Sequence, residues 1–168
     1  HTLFEIPLLG RMIRAGGALP IYRAKDSDNL ELSKQKNAEM LENAGMEISY
    51  GGRLLLFPEG KTHTEANVNR AKTGAARIML NALRNAQINE LPKPNIIPVG
   101  LHYSNSQKFR ERGAVILERP MNLPEIPPLV EDENQQKETD YEWVQSVTKS
   151  IESELKRASL SKTTWEER

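Results

Sequence analysis

Gly51 and Gly52 are followed by Arg53-Leu54-Leu55-Leu56-Phe57, and Pro58 then ends the run. An apolar stretch of strand length that does not alternate with polar residues predicts a strand buried on both faces, as in the interior of a parallel sheet. Few other features limit the fold as strongly.

The sequence on either side supplies helices and further strands. Leu8, Leu9, Met12 and Ile13 share one helical face, with Arg11 and Arg14 on another, so a short helix is expected from Pro7 until Gly16 and Gly17 stop it. Ala18 to Tyr22 then reads as a strand ending at Arg23. Ser27 and Asp28 are candidate caps for a second helix carrying Leu30, Ala38, Leu41 and Ala44, ended by Gly45. Ala75, Ile78, Met79, Ala82 and Leu83 mark a third helix over 73–85, broken by Pro92 and Pro94. Residues 95–103 and 114–117 read as two more strands. This alternation predicts an α/β fold, a two-layer or three-layer sandwich with a mostly parallel central sheet.

Three segments are expected. Residues 1–120 form the core, incomplete at its N-terminal side, because His1 is an unusual first residue. Residues 121–138, rich in proline and carrying Glu131-Asp132-Glu133, read as an extended linker. Residues 139–168 read as an amphipathic helix that docks on the core through Tyr141, Val144, Val147, Ile151 and Leu155.

Composition narrows the chemistry. The chain has no cysteine, which removes disulfides, thiolate nucleophiles and zinc-thiolate clusters. Its 23 basic and 23 acidic residues cancel, so no overall field draws it to nucleic acid, and any phosphate chemistry must be local. No apolar run approaches the roughly 20 residues needed to span a bilayer.

Open α/β sheets gather their ligand sites beyond the carboxyl ends of strands. The loop after Phe57 reads Pro58-Glu59-Gly60-Lys61-Thr62-His63, which places an acid, a base, a hydroxyl and an imidazole after the apolar run. Gly60 permits a tight turn or the close approach of a ligand. The segment resembles the Phe-Pro-Glu-Gly signature of the glycerol-3-phosphate and lysophosphatidic acid acyltransferase family. Three further blocks resemble that family in its own order. They are Gly17-Ala18-Leu19-Pro20-Ile21-Tyr22-Arg23, Lys72-Thr73-Gly74-Ala75-Ala76 and Ile97-Pro98-Val99-Gly100.

The resemblance implies a glycerol-3-phosphate acyltransferase-like fold and an enzyme that moves a fatty acyl group from a thioester to a glycerol hydroxyl. A phosphomonoester acceptor brings about 1.5 to 2 negative charges, which calls for several donors. Arg23 matches the family's acceptor-binding arginine, and Lys61, Thr62, His63 and Lys72 would complete the phosphate cradle. Glu59 would support that cluster, while Gly17, Gly60, Pro98 and Gly100 shape the backbone. The histidine at 63, with Thr62 where the commoner motif has arginine, resembles the glycerol 3-phosphate type. Glycerol 3-phosphate and lysophosphatidic acid both stay open as acceptors. The donor would be acyl-coenzyme A or an acyl carrier protein thioester, with no metal and no cofactor. Membrane lipid as substrate implies work at the cytoplasmic face of a membrane, with this segment peripheral. The helix near Leu8 is expected to pack its apolar face on the core and leave its arginines free for lipid phosphates.

One family feature is missing from these residues. The His-x4-Asp motif supplies the base and the aspartate that orients it. Here His1, His63 and His102 are followed at that spacing by Ile6, Val68 and Gln107. In the family the motif precedes a stretch like Leu3 to Gly10, so the chain is expected to be a fragment that binds better than it catalyses. The alternative is a non-catalytic phospholipid-binding module or pseudoenzyme. His102, with no acidic neighbour in sequence, reads as a structural histidine.

Overall fold

The computed structural model describes residues 6–18, 30–60, 68–103, 109–110 and 112–159. Within them lie helices α1 (Pro7–Ala15), α2 (Leu30–Ser49), α3 (Gly74–Ile88) and α4 (Glu133–Ala158), and strands β1 (Val99–Tyr103) and β2 (Gly113–Leu117). The strands pair antiparallel, from Val99 opposite Leu117 to Tyr103 opposite Gly113. They form a two-stranded sheet, and no parallel pairing occurs among the described residues. The strand expected over 18–22 lies, beyond Ala18, outside those residues.

Helix α2 differs from expectation at its end. Gly45 does not stop it, and the helix continues to Ser49. Gly45 instead lies where α2 crosses α3, so close that a Cβ there would sit 2.7 Å from the Cβ of Asn81 and 3.0 Å from the Ile78 carbonyl oxygen. The stop comes at Gly51, whose φ of 90° lets Gly52 N–H reach back to the Glu47 carbonyl at 2.9 Å.

The expected strand over 53–57 is irregular, and among the described residues no ladder covers it. Leu55 and Phe57 are exposed, at 76% and 66%. An apolar run is buried only where other elements cover it, and composition alone does not supply that cover. The apolar face of α1 is likewise open rather than packed, with Leu8 and Met12 at 74% and 65%.

The core lies between α3 and α4. Met79, Leu80 and Leu83 meet Trp143, Val144, Val147 and Ile151, and Val147 is fully buried. Each such large side chain contributes about 1.5 to 3 kcal/mol by leaving water. Tyr141, expected on this face, is exposed instead. Arg84 on α3 clamps Asp140 on α4 through two hydrogen bonds of 2.7 and 2.5 Å.

The segment expected to be a free linker is extended but partly anchored. Met121 is buried and its N–H donates to the Ile96 carbonyl, while Leu123 and Ile126 pack against the core. Trp143 Nε1 donates to the Glu125 carbonyl at 3.0 Å. Helix α4 starts at Glu133 rather than 139, because Asp132 caps it by accepting from the N–H groups of Asn134 and Gln135.

Candidate functional site

The irregular apolar run ends in a tight turn. Gly60 N–H donates to the Phe57 carbonyl at 3.1 Å, and Gly60 adopts a φ of 64°, which residues with a side chain rarely take. The segment just ahead of α3 folds back onto this turn. Lys72 N–H donates to the Pro58 carbonyl at 2.8 Å, and Asn69 N–H donates to Glu59 Oε2 at 2.8 Å. Two stretches that the sequence separates are thus clasped at two points.

The clasp lays the Lys72 side chain across Gly60. A Cβ at residue 60 would lie 2.9 Å from Lys72 Nζ and 3.0 Å from its Cδ and Cε. Gly60 therefore answers two needs, a left-handed backbone and room for the lysine. Lys72 is exposed and Glu59 half-buried, so the acid tethers backbone while the ammonium faces solvent beside the turn. Such an arrangement can offer a cation to an anionic ligand without first freeing it from the loop.

Helix α4 reaches the same place. Ala71 N–H points to Glu152 Oε2 at 3.4 Å, and Lys156 Nζ donates to Glu152 Oε1 at 2.9 Å. The hydrogen bond from Lys156 holds the Glu152 carboxyl below its ordinary value. Burial opposes that shift, and the Ala71 amide and the charges of Lys156 and Arg70 add to it.

Of the expected site residues, the structure brings Glu59, Gly60 and Lys72 together. Arg23, Lys61, Thr62 and His63 lie outside the described residues. Gly17 follows α1 with a φ of 77° and open space where a Cβ would go. Pro98 and Gly100 are both buried. A Cβ on Gly100 would collide with the Ala158 carbonyl at the end of α4. His102 Nε2 lies 3.0 Å from that same carbonyl oxygen, which can only accept, so the ring donates and serves as a structural tie.

Two contributors escaped sequence reasoning. Asn69 acts through its backbone N–H, which no side-chain motif signals. Glu152 stands four residues before Lys156 and reads as an ordinary helix-surface ion pair. Among the described residues no group of three metal-ligating side chains gathers, and no helix is long and apolar enough to cross a membrane.

Comparison with known proteins agrees with the motif blocks. The family profile described as Acyltransferase matches residues 1–102, well over half of the chain. The chain belongs to the acyltransferase family. It is similar to glycerol-3-phosphate O-acyltransferase 1 of Saccharomyces cerevisiae, with 27% identity over 108 residues. That match covers 63% of this chain and 14% of the yeast protein. No solved structure matches the chain significantly.

Proposed function

We propose that this chain holds the acceptor phosphate in an O-acyltransferase of phospholipid synthesis. The enzyme would move a fatty acyl group from an acyl-coenzyme A or acyl carrier protein thioester to a hydroxyl of glycerol 3-phosphate or lysophosphatidic acid. The observation that carries this reading is the clasp of the Phe57 to Gly60 turn with Asn69 to Lys72, which lays the Lys72 ammonium against Gly60. The family profile and the yeast relative support the reaction class.

In this reading Lys72 contributes one charge-assisted contact to a dianionic phosphate, and Arg23, Lys61, Thr62 and His63 contribute the others. Glu59 keeps the turn and the lysine segment in register. The attacking hydroxyl would add to the thioester carbonyl and the thiolate would leave, with the hydroxyl proton going to a general base that none of this chain's three histidines supplies in a His-x4-Asp pair. The route uses no metal and no prosthetic group. The full fold would be the α/β sandwich with a mostly parallel sheet, to which the apolar run at 54–57 would contribute a covered strand. Peripheral attachment at the cytoplasmic face of a membrane fits the exposed Leu8 and Met12 on α1 next to Arg11.

The test is steady-state transfer by the full-length protein with Lys72→Met and, separately, Arg23→Ala. A charge-assisted hydrogen bond contributes about 1.5 to 3 kcal/mol, so each change should raise the acceptor KM about tenfold or more and leave the donor KM unchanged. An acceptor KM that does not move in either variant sinks the proposal.

A further inference from the structure

Among the described residues, three backbone tethers hold the segment that carries Lys72. Asn69 N–H is taken by Glu59 and Lys72 N–H by the Pro58 carbonyl, but both acceptors belong to the turn that the segment itself is clasping. Those two bonds fix the turn and the segment to one another, while Ala71 packs against the core cluster and Thr73 leads into α3. The third tether is different in kind, because Glu152, which faces Ala71 N–H, sits on α4. That helix is held in the core by Val147 and Ile151, which are 0% and 5% exposed, and Ile151 is the residue next to Glu152.

Glu152 is also set up as a fixed acceptor. Its side chain is 22% exposed against 53% for Lys156, so it lies largely covered, unlike a solvated surface acid. Lys156 takes Oε1 at 2.9 Å and leaves Oε2 aimed at Ala71 in a longer contact of 3.4 Å, so the Lys156 bond sets which way the second oxygen faces. A helix-surface pair at this spacing contributes little to stability by itself. The second oxygen's reach to a loop amide is what gives it consequence.

We infer that Glu152 is a positioning residue for the acceptor site. Its carboxylate anchors the 69–72 segment to the core and so sets where the Lys72 ammonium meets the acceptor's phosphate. The inference rests on the function proposed above, and it places a determinant of acceptor affinity beyond residues 1–102, which the family profile covers.

The test compares full-length wild type with Glu152→Ala and Glu152→Gln, using glycerol 3-phosphate and its monoacyl form as acceptors. Hydrogen exchange of the 68–73 amides is followed in parallel. Small displacements of a binding group cost an order of magnitude or more, so Glu152→Ala should raise the acceptor KM about tenfold, leave the donor KM within about twofold, and speed exchange at 68–73. Glutamine keeps one oxygen acceptor, which can take the Ala71 N–H while the Lys156 bond is given up, and should bring the acceptor KM at least halfway back to wild type on a logarithmic scale. If both variants lower the acceptor KM, Glu152 acts through its field and positioning is overturned. Faster exchange with an unmoved acceptor KM, or donor and acceptor constants rising together, overturns it as well. Wild-type protein that transfers to neither acceptor defeats the function reading itself, a failure distinct from the others.

Discussion

Lys72 crosses the face of Gly60, with its ammonium 2.9 Å from where a side chain at residue 60 would begin. The lysine is the flexible end of a long chain and can give way, but the backbone at Gly60, with its φ of 64°, cannot relax as cheaply. Gly60→Ala is therefore expected to lose about 1 to 2 kcal/mol of stability from the left-handed backbone. The displaced ammonium should raise the acceptor KM with the donor KM unmoved. Urea denaturation and steady-state kinetics check the two parts separately.

Gly100→Ala meets a harder obstacle. The colliding group is the Ala158 carbonyl, part of the α4 backbone, so the helix end and β1 must separate. Overpacking of this kind costs about 1 to 3 kcal/mol. The variant should show a lower urea midpoint and weaker exchange protection at 155–158.

Acid should weaken the tie between α3 and α4. Burial pushes the Asp140 carboxyl upward, but hydrogen bonds from Arg84 and Gln136 and the Arg84 charge together hold it below its ordinary value. The unfolded chain thus takes up this proton first. The contribution is complete above the unfolded value and is lost as pH falls through the lowered folded one. Asp140→Asn should flatten the fall in urea midpoint below about pH 4, with Glu152 contributing part of the slope that remains.

Trp143→Phe keeps most of the buried ring and removes the donor to Glu125. The expected loss is about 1 kcal/mol, with faster exchange near 121–126 and no change in the acceptor KM. Denaturation and exchange measurements decide it.

What sequence reading captured and missed has a common cause. Helix α1 was legible from Pro7 and the glycines after it, and α3 from Ile78, Met79, Ala82 and Leu83, because helical periodicity is a local property. The Glu59, Gly60 and Lys72 grouping was legible through family resemblance. Gly45 misled because a glycine that admits a crossing helix looks the same as one that ends a helix. Met121, Leu123 and Ile126 were hidden among prolines and acids, whose average polarity masked single anchors. The run at 54–57 has strand composition, but its burial depends on cover that its own residues do not specify. Glu152 depends on a contact spanning half the chain, and no short window contains it.

The family profile ends at residue 102, yet the apolar side of α3 that lies within it is sheathed by a helix from beyond it. In this chain the recognisable segment thus does not close its own core. Without α4, Met79, Leu80 and Leu83 would lose the cover that Trp143, Val144, Val147 and Ile151 give them. A gene trimmed to the profile's border would yield a sticky chain instead of a smaller enzyme.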